Sequence, residues 1–227
     1  MLARIALVFI TFSFSLTAYG ARYGSTDLAF RGMAGYAGFG VAEFTVLNPR
    51  ADFRMDQGTY IYLGGEKEIG HTGLFITINL NFMESSGQSL YDYTALGGTQ
   101  YQNNPGSQID FDSSHYQIGM GLKFKLFPTS WFRPYGEGGG LFGFHEVRHN
   151  ARASDLTVTD GNHKTKDTLS GFGYYMEAGL EVDFSEIWGV RAAARYQLTE
   201  TRPFETLGNE KIKYETRIFF FGIGRKF

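Results

Sequence analysis

The sequence contains no cysteine, which excludes disulfide bonds and metal sites built on thiolates. Proline is scarce as well, at 5 of 227 residues, while 30 glycines, 22 phenylalanines and 14 tyrosines favour strands and turns over helices. Charge of one sign is not in excess, since the formal net charge is −2, and a basic surface for nucleic acid is not expected. We therefore expect an all-β protein of an oxidising compartment, without a nucleic-acid partner.

No apolar run is long enough for a membrane helix, and the longest apolar run of the sequence lies at the N-terminus. Residues 1–20 combine Arg4, an apolar stretch from Ile5 to Leu16 and small residues at the end, which is the pattern of a secretory signal peptide. A transmembrane anchor is the alternative, but this stretch is short and is diluted by Thr and Ser. We predict export, cleavage near Gly20 and a single domain over residues 21–227.

A hairpin from Leu169 to Thr199 carries the clearest pattern in the rest of the chain. Its even-numbered positions are apolar or aromatic on both arms, and a period of two indicates β-strands. The opposite face carries Glu177, Glu181, Asp183, Arg191 and Arg195. A turn centred near Glu186 places Glu177 opposite Arg195 and Glu181 opposite Arg191, so opposite charges meet across the pair.

Similar alternation predicts eight strands in all. They are Leu28–Gly38 (with Val41–Leu47 as a competing candidate), Thr59–Glu66, Leu74–Phe82, Tyr116–Leu126, Phe132–His145, Leu169–Phe184, Trp188–Thr199 and Lys211–Phe227. Short turns follow the second, fourth and sixth strands. Long polar loops follow the other strands and include Met83–Asp110, Val147–Lys166 and Arg202–Glu210.

This alternation of turn lengths is typical of a transmembrane β-barrel, with short periplasmic turns and longer extracellular loops. Only a closed barrel satisfies every backbone donor and acceptor in lipid, so we predict an eight-stranded antiparallel up-and-down barrel. Its apolar faces would then meet lipid and its charged faces would line the lumen. A soluble lipocalin-like barrel is disfavoured, because it would enclose its apolar face.

The predicted barrel assigns positions to two groups of side chains, one in the lumen and one at the membrane interface. The lumen of eight strands has room only for side chains, and by parity it receives a lumen charge network of Lys123, Glu137, Glu177, Glu181, Arg191 and Arg195, with Lys125, Arg133 and Asp183. The mixture of signs predicts ion pairs, including one between Lys123 and Glu137. The aromatic residues Trp131, Phe132, Phe184 and Trp188 stand beside short turns and predict a periplasmic girdle.

The C-terminal strand carries a resemblance to known proteins. Phe219, Phe221, Ile223 and the terminal Phe227 share one face, which resembles the insertion signal of bacterial outer-membrane proteins, although Arg225 departs from it. The start of the fifth strand, residues 133–136, resembles the small barrels of the OmpA transmembrane type, and the whole pattern is also similar to the OmpW family. We expect no peptidoglycan-binding domain after the barrel.

The resemblance implies a location in the outer membrane of a Gram-negative cell envelope. It implies contact with outer-membrane lipid and lipopolysaccharide, and assembly by periplasmic chaperones and the barrel-assembly machinery. The long loops would face the outside, with an unidentified ligand. Three functions stay open: a structural or surface-interaction barrel with a plugged lumen, a small porin-like channel for ions or apolar molecules, and an outer-membrane lipid-modifying enzyme. The first is favoured.

Three motifs could indicate chemistry, but their spacing or context argues against each. His145 and His149 are four apart, which on a strand separates them by roughly 13 Å, so no metal site is expected. Residues 138–143 match G-x-G-x-x-G but lie mid-strand, so no cofactor is expected and the glycines would make room for neighbouring aromatics. Ser113, Ser114 and His115, with Asp110 or Asp112, lack the His-x-Ser pattern of the lipid A deacylases, so no catalytic residue is predicted.

Overall fold

A computed structural model describes residues 33–47, 53–55, 57–70, 72–89, 101–102, 109–149, 157–158, 166–202, 211 and 213–226. Eight long strands form the barrel: β1 Met33–Val46, β3 Gly58–Glu68, β4 Leu74–Ser89, β6 Ile109–Lys125, β7 Phe132–His149, β9 Lys166–Asp183, β10 Trp188–Thr201 and β11 Lys213–Lys226. Three short strands accompany them: β2 Phe53–Met55, β5 Tyr101–Gln102 and β8 Thr157–Val158. No helix in the described part of the chain is long and apolar enough to cross a membrane.

The barrel is closed and antiparallel throughout. Each long strand pairs with its neighbour in sequence, β4 pairs with β6 across the short β5, and β1 pairs with β11, for example at Gly38 and Gly222. The ring therefore has two neighbours for every long strand, which removes the unpaired edges that would be costly in lipid. The predicted eight-stranded up-and-down barrel is confirmed.

Both ends of the barrel are defined by its connections. Three connections are short and join strands at the same end of the barrel, which we name the turn end: residues 69–73, 126–131 and 184–187. The other end, the loop end, carries the long connections. There β5 pairs with β8, and these two short strands belong to different long connections. β2 pairs with the last residues of β4 at the same end.

The strands run further toward the loop end than the alternation predicted. Residues 83–89 and 109–110 were expected in a loop, but they belong to β4 and β6 and are paired up to Ser89 and Ile109. The same holds for 147–149 of β7 and for Lys166 of β9. Beyond an apolar layer both faces of a strand can be polar, so the alternation disappears although the backbone ladder continues.

The first strand resolves a choice that the sequence left open. The sequence pattern offers two alternative first strands, Leu28–Gly38 and Val41–Leu47. In the structure β1 runs from Met33 to Val46 and includes parts of both. Ala34 and Tyr36 point inward and are buried, while Phe39 and Val41 point outward. Residues 28–32 lie outside the described part of the chain.

The two faces of the wall differ as predicted. Large apolar side chains point outward and are exposed, among them Ile76, Ile78, Leu80, Ile118, Met120, Leu122, Phe219 and Phe221. Charged and polar side chains point inward and are buried, and a soluble protein would have the reverse arrangement. The outer wall is therefore an apolar band suited to lipid.

Candidate functional site: the charged lumen

The turn end of the lumen holds a group of lysines and carboxylates. Lys123 Nζ lies 2.7 Å from Glu66, 3.2 Å from Glu181 and 3.5 Å from Glu137. Lys125 contacts Glu66 as well and lies 2.7 Å from Glu181. All five side chains are buried, so each charge depends on its protein partners rather than on water.

Glu177 is the centre of a second group. Its Oε2 accepts a hydrogen bond from Arg195 Nε at 2.7 Å, and its Oε1 accepts hydrogen bonds from Arg191 and from the Tyr135 hydroxyl. Arg195 also donates to Asn81 Oδ1 at 3.0 Å. One carboxylate thus binds two guanidinium groups, and this sharing links the neighbouring strands β9 and β10 on their lumen side.

Aromatic rings surround Arg191. Its guanidinium carbon lies 4.8 to 5.3 Å from the ring centroids of Tyr36, Tyr62, Tyr135 and Phe220. It also donates hydrogen bonds to the hydroxyls of Tyr62 and Tyr135. Four rings within this distance surround the cation and shield it from water, and cation–π attraction acts at such distances. Arg191 is 1% exposed.

Hydrogen bonds among tyrosine and asparagine side chains extend from the Glu137 carboxylate toward the loop end of the lumen. Tyr175 donates to Glu137 at 2.7 Å, and Asn79 donates to the Tyr175 hydroxyl at 3.1 Å. Asn81 donates to Asn79 at 2.7 Å and accepts from Tyr60 at the same distance. These bonds tie the carboxylates to the polar side chains above them, so the filled section of the lumen is continuous.

Arg133 and Asp183 close the turn end. The two form an ion pair, and Lys226 also contacts Asp183. Arg133 additionally donates a hydrogen bond to the backbone oxygen of Ser130 in the short turn. These contacts fasten together the start of β7, the end of β9 and the end of β11.

The predicted register across β9 and β10 is confirmed, but one ion pair differs from the prediction. Glu177 pairs in register with Arg195, and Glu181 with Arg191. Among the ion pairs of the described residues, however, Arg191 contacts Glu177, whereas Glu181 contacts Lys123, Lys125 and Arg133. Diagonal neighbours on one face lie within reach of long side chains, so the guanidinium turns along the strand instead of straight across.

Sequence reasoning missed Glu66 and the inward tyrosines. Glu66 shares parity with Tyr60, Tyr62 and Gly64 on β3, and this signal would have placed it in the lumen. The prediction that Lys123 faces Glu137 is confirmed in register. Lys123 nevertheless lies nearer to Glu66 than to Glu137, because Glu66 reaches across the lumen from β3.

Glycines make room for the inward tyrosines, at other positions than expected. A Cβ on Gly121 would lie 2.5 Å from the Tyr175 hydroxyl, and one on Gly64 would lie 2.1 Å from that of Tyr62. In the 138–143 motif, by contrast, a Cβ would meet backbone atoms or the side chain of Gln117, not an aromatic ring. The predicted role of those particular glycines is therefore wrong, while the cofactor motif lies mid-strand as expected.

The girdle residues Trp131, Phe132, Phe184 and Trp188 all lie at the turn end and are exposed on the outer wall. Arg225, the departure from the C-terminal pattern, lies with its guanidinium carbon 5.8 Å from the Trp188 ring centroid. Phe219, Phe221 and Ile223 point outward, and Phe227 lies outside the described residues.

Among the described side chains, the loop end of the lumen contains histidines where the turn end contains acids. Ser113 Oγ lies 2.5 Å from His115 Nε2, and His115 Nδ1 lies 2.5 Å from His145 Nδ1. Ser114 belongs to the other face, as its adjacency to His115 requires. Ser113 and His115 are each 1% exposed, and the second His115 nitrogen contacts an imidazole rather than a carboxylate. The side-chain hydrogen bonds of Ser113 and His115 within the described residues therefore include no carboxylate of the kind that orients the histidine of a catalytic triad.

Comparison with known proteins agrees with the geometry. The family model described as the outer membrane protein beta-barrel domain matches residues 6–227. Among solved structures, the chain is similar to Neisserial surface protein A (14% identity, 86% of this chain and 97% of that chain, TM-score 0.52). It is also similar to the outer membrane protein OprG of Pseudomonas aeruginosa (14% identity, 87% of this chain and 96% of that chain, TM-score 0.52).

At such identities the two structures are alike in fold. No curated protein matches the chain. The family match, however, extends over nearly the whole sequence, and the lumen and outer wall are those of a membrane barrel. The chain belongs to the outer membrane protein β-barrel domain family.

Proposed function

We propose that the protein is a sealed outer-membrane barrel with a structural or surface-interaction role. The observation that carries this proposal is Arg191, a cation held in the lumen by four aromatic rings, two tyrosine hydroxyls and Glu177. Its 1% exposure supports a lumen that is filled at that level. A plug of paired charges fits a lumen of eight strands, which side chains can fill.

Contact with the surroundings would then belong to the loop end. Strands β4, β6, β7 and β9 continue there beyond the apolar band, and β5 pairs with β8 between two long connections. Such extensions present polar surface on a rigid base, which is how many barrels display binding segments. We propose that the long connections carry the ligand contacts and that the barrel itself performs no catalysis.

Family membership supports an outer-membrane location. We propose that residues 1–20 direct export and are removed, that the apolar band contacts outer-membrane lipid and lipopolysaccharide, and that chaperones and the assembly machinery of the periplasm insert the barrel. The short connections at the turn end support an orientation with that end toward the periplasm.

Planar-bilayer recording tests the sealed lumen. Wild-type protein should give no steady conductance steps, whereas Arg191→Ala should open a pore because it removes the side chain that fills the aromatic cage. Arg217→Ala is the matched control, since Arg217 points outward beside Glu215 and should leave the barrel silent. Large, steady wild-type steps would overturn the proposal and favour the alternative, a small channel for ions or apolar molecules.

A further inference from the structure

Two histidines meet inside the barrel at its loop end. His115 on β6 and His145 on β7 are register partners, and their Nδ1 atoms lie 2.5 Å apart. Both are buried, at 1% and 0% exposure. Phe44 stacks on His115, and the Tyr214 ring contacts both imidazoles. This histidine pair is separate from the lumen charge network and has no part in the plug.

The protons of the pair restrict what it can do. Each neutral imidazole carries one N–H, so at most one of two facing Nδ1 atoms can donate to the other. His115 Nε2 has a second partner in Ser113 Oγ. His145 Nε2 has no hydrogen-bond partner among the described residues. If the histidine that donates through Nδ1 instead carries its proton on Nε2, both rings stay neutral. The lone pairs of the two Nδ1 atoms then point at the same place.

Met83 lies beside the pair. It is the register partner of His115 on β4, points inward and is fully buried. Its sulfur has a 3.6 Å contact from Gln197 Nε2, which also donates to Gln117. A thioether therefore stands on the strand next to two imidazoles at one level of the lumen.

We propose that His115 and His145, with Met83 beside them, form a site for a single soft monovalent metal ion of the Cu⁺ or Ag⁺ class. Imidazole suits copper, and thioether ligands select Cu⁺ over harder ions. The site does not depend on whether the lumen below it is sealed.

The charge of the surroundings favours a monovalent ion. The acidic neighbours in sequence, Glu84 and Glu146, occupy outward-facing positions on β4 and β7. The described residues contain no group of three or more His, Asp or Glu that could hold a metal ion. A divalent ion would bring two charges into a cage of neutral rings in which the described side chains include no carboxylate to balance them.

The neighbourhood also allows the rings to separate. A metal with N ligands at about 2.0 Å needs the two nitrogens further apart than in a hydrogen bond. Gly171 is the residue against the far side of His145, where a Cβ would lie 2.9 Å from Nε2. A ring beside glycine can move by the small amount required. Ser113 would then accept the His115 Nε2–H and fix that ring, as partners of metal-bound histidines do.

Calorimetric titration of the folded, detergent-solubilised barrel with Ag⁺ in chloride-free buffer tests the site. Wild type should bind one ion per barrel at the site, and His115→Gln or His145→Gln should each weaken that binding by about tenfold or more. Met83→Leu should weaken it also, and Zn²⁺ should bind less tightly than Ag⁺. His71→Gln is the control, because His71 stands in the sequence between β3 and β4, and it should bind as wild type does.

Folding of each variant is checked by heat-modifiable gel mobility. If the histidine variants do not fold, the nitrogen NMR signals of ¹⁵N-histidine-labelled wild type decide instead. Addition of Ag⁺ should then shift the Nδ1 signals of His115 and His145 together, whereas unchanged signals from this pair would overturn the proposal. Equal Ag⁺ binding by wild type and both histidine variants would overturn it as well.

Discussion

Arg195 Nε donates a 2.7 Å hydrogen bond to Oε2 of Glu177, and Arg195 Nη2 lies 2.6 Å from the same oxygen. The other oxygen of this carboxylate accepts hydrogen bonds from Arg191 and Tyr135. Glu177 is therefore shared by two guanidinium groups. Because all of these side chains are buried, loss of the single carboxylate would leave two cations in the lumen without their nearest anion.

Removal of the Glu66 carboxylate at the turn end should destabilise the barrel in the same way. Glu66→Gln leaves Lys123 and Lys125 short of one anion and should lower the free energy of unfolding by up to about 3–5 kcal/mol. Glu43→Gln is the control, since Glu43 is exposed on the outer wall and should change stability by less than about 0.5 kcal/mol. Urea unfolding in lipid vesicles measures both variants, and equal small effects would show that Glu66 does not balance the lysines.

Gly121 should tolerate no side chain. A Cβ there would lie 2.5 Å from the Tyr175 hydroxyl and 2.6 Å from the backbone oxygen of Gly138, so Gly121→Ala should destabilise the barrel by about 1–3 kcal/mol. A Cβ on Gly136 would meet no atom within 4 Å, so Gly136→Ala should be neutral or slightly stabilising. The two unfolding curves should separate, and a stable Gly121→Ala barrel would place Tyr175 elsewhere.

The membrane-spanning part of the fold was readable from the sequence because lipid and lumen impose opposite demands on neighbouring residues. Leu74 to Phe82 alternates for this reason, and the prediction holds there. Past Phe82 the outer surface is no longer apolar, so residues 83–89 resemble a loop although they continue the ladder. Strand ends outside lipid are set by backbone pairing, which leaves no side-chain pattern to read.

Deletion of Phe227 should impair outer-membrane assembly much more than deletion of residues 91–99. The outward Phe219, Phe221 and Ile223 lie on β11, which pairs with β1 to close the barrel, so the last strand is needed for closure. Residues 91–99 stand in the sequence between β4 and β5. Heat-modifiable mobility of membrane fractions compares the two, and equal folding yields would contradict the expectation.

Export should remove the N-terminal segment. Arg4, the apolar stretch that follows it and the small residues before Ala21 predict cleavage near Gly20. Mass spectrometry of protein from the outer-membrane fraction should find a mature N-terminus at or next to Ala21. An intact Met1 in that fraction would be incompatible with a cleaved signal peptide.

The lumen was predicted in part. Parity places Glu177, Arg195 and Lys123 inside, because it depends only on strand identity. Partner choice depends on side-chain length and on strands distant in sequence, which no local pattern reveals. Glu66 reaches Lys123 from β3 for that reason, past the intervening strand β4. His115 and His145, by contrast, lie opposite each other in the same β6–β7 register that pairs Lys123 with Glu137, so the predicted hairpin register already implies their contact.

A double-mutant cycle on Glu177 and Arg195, measured by urea unfolding in lipid vesicles, tests the paired lumen most directly. Glu177→Ala and Arg195→Ala should each destabilise the barrel, and their combination should cost about 1–3 kcal/mol less than the sum. The charge swap Glu177→Arg with Arg195→Glu should recover only part of the loss, because the new cation would stand beside Arg191.

The exposed pair of Glu215 and Arg217 is the control cycle, and its coupling should stay below about 1 kcal/mol. A coupling of about 1–3 kcal/mol between Glu177 and Arg195, well above that of the control, is the result that the charge-paired lumen predicts. Single-mutant effects that add to within about 0.5 kcal/mol would contradict it, since residues that share one buried ion pair cannot act independently.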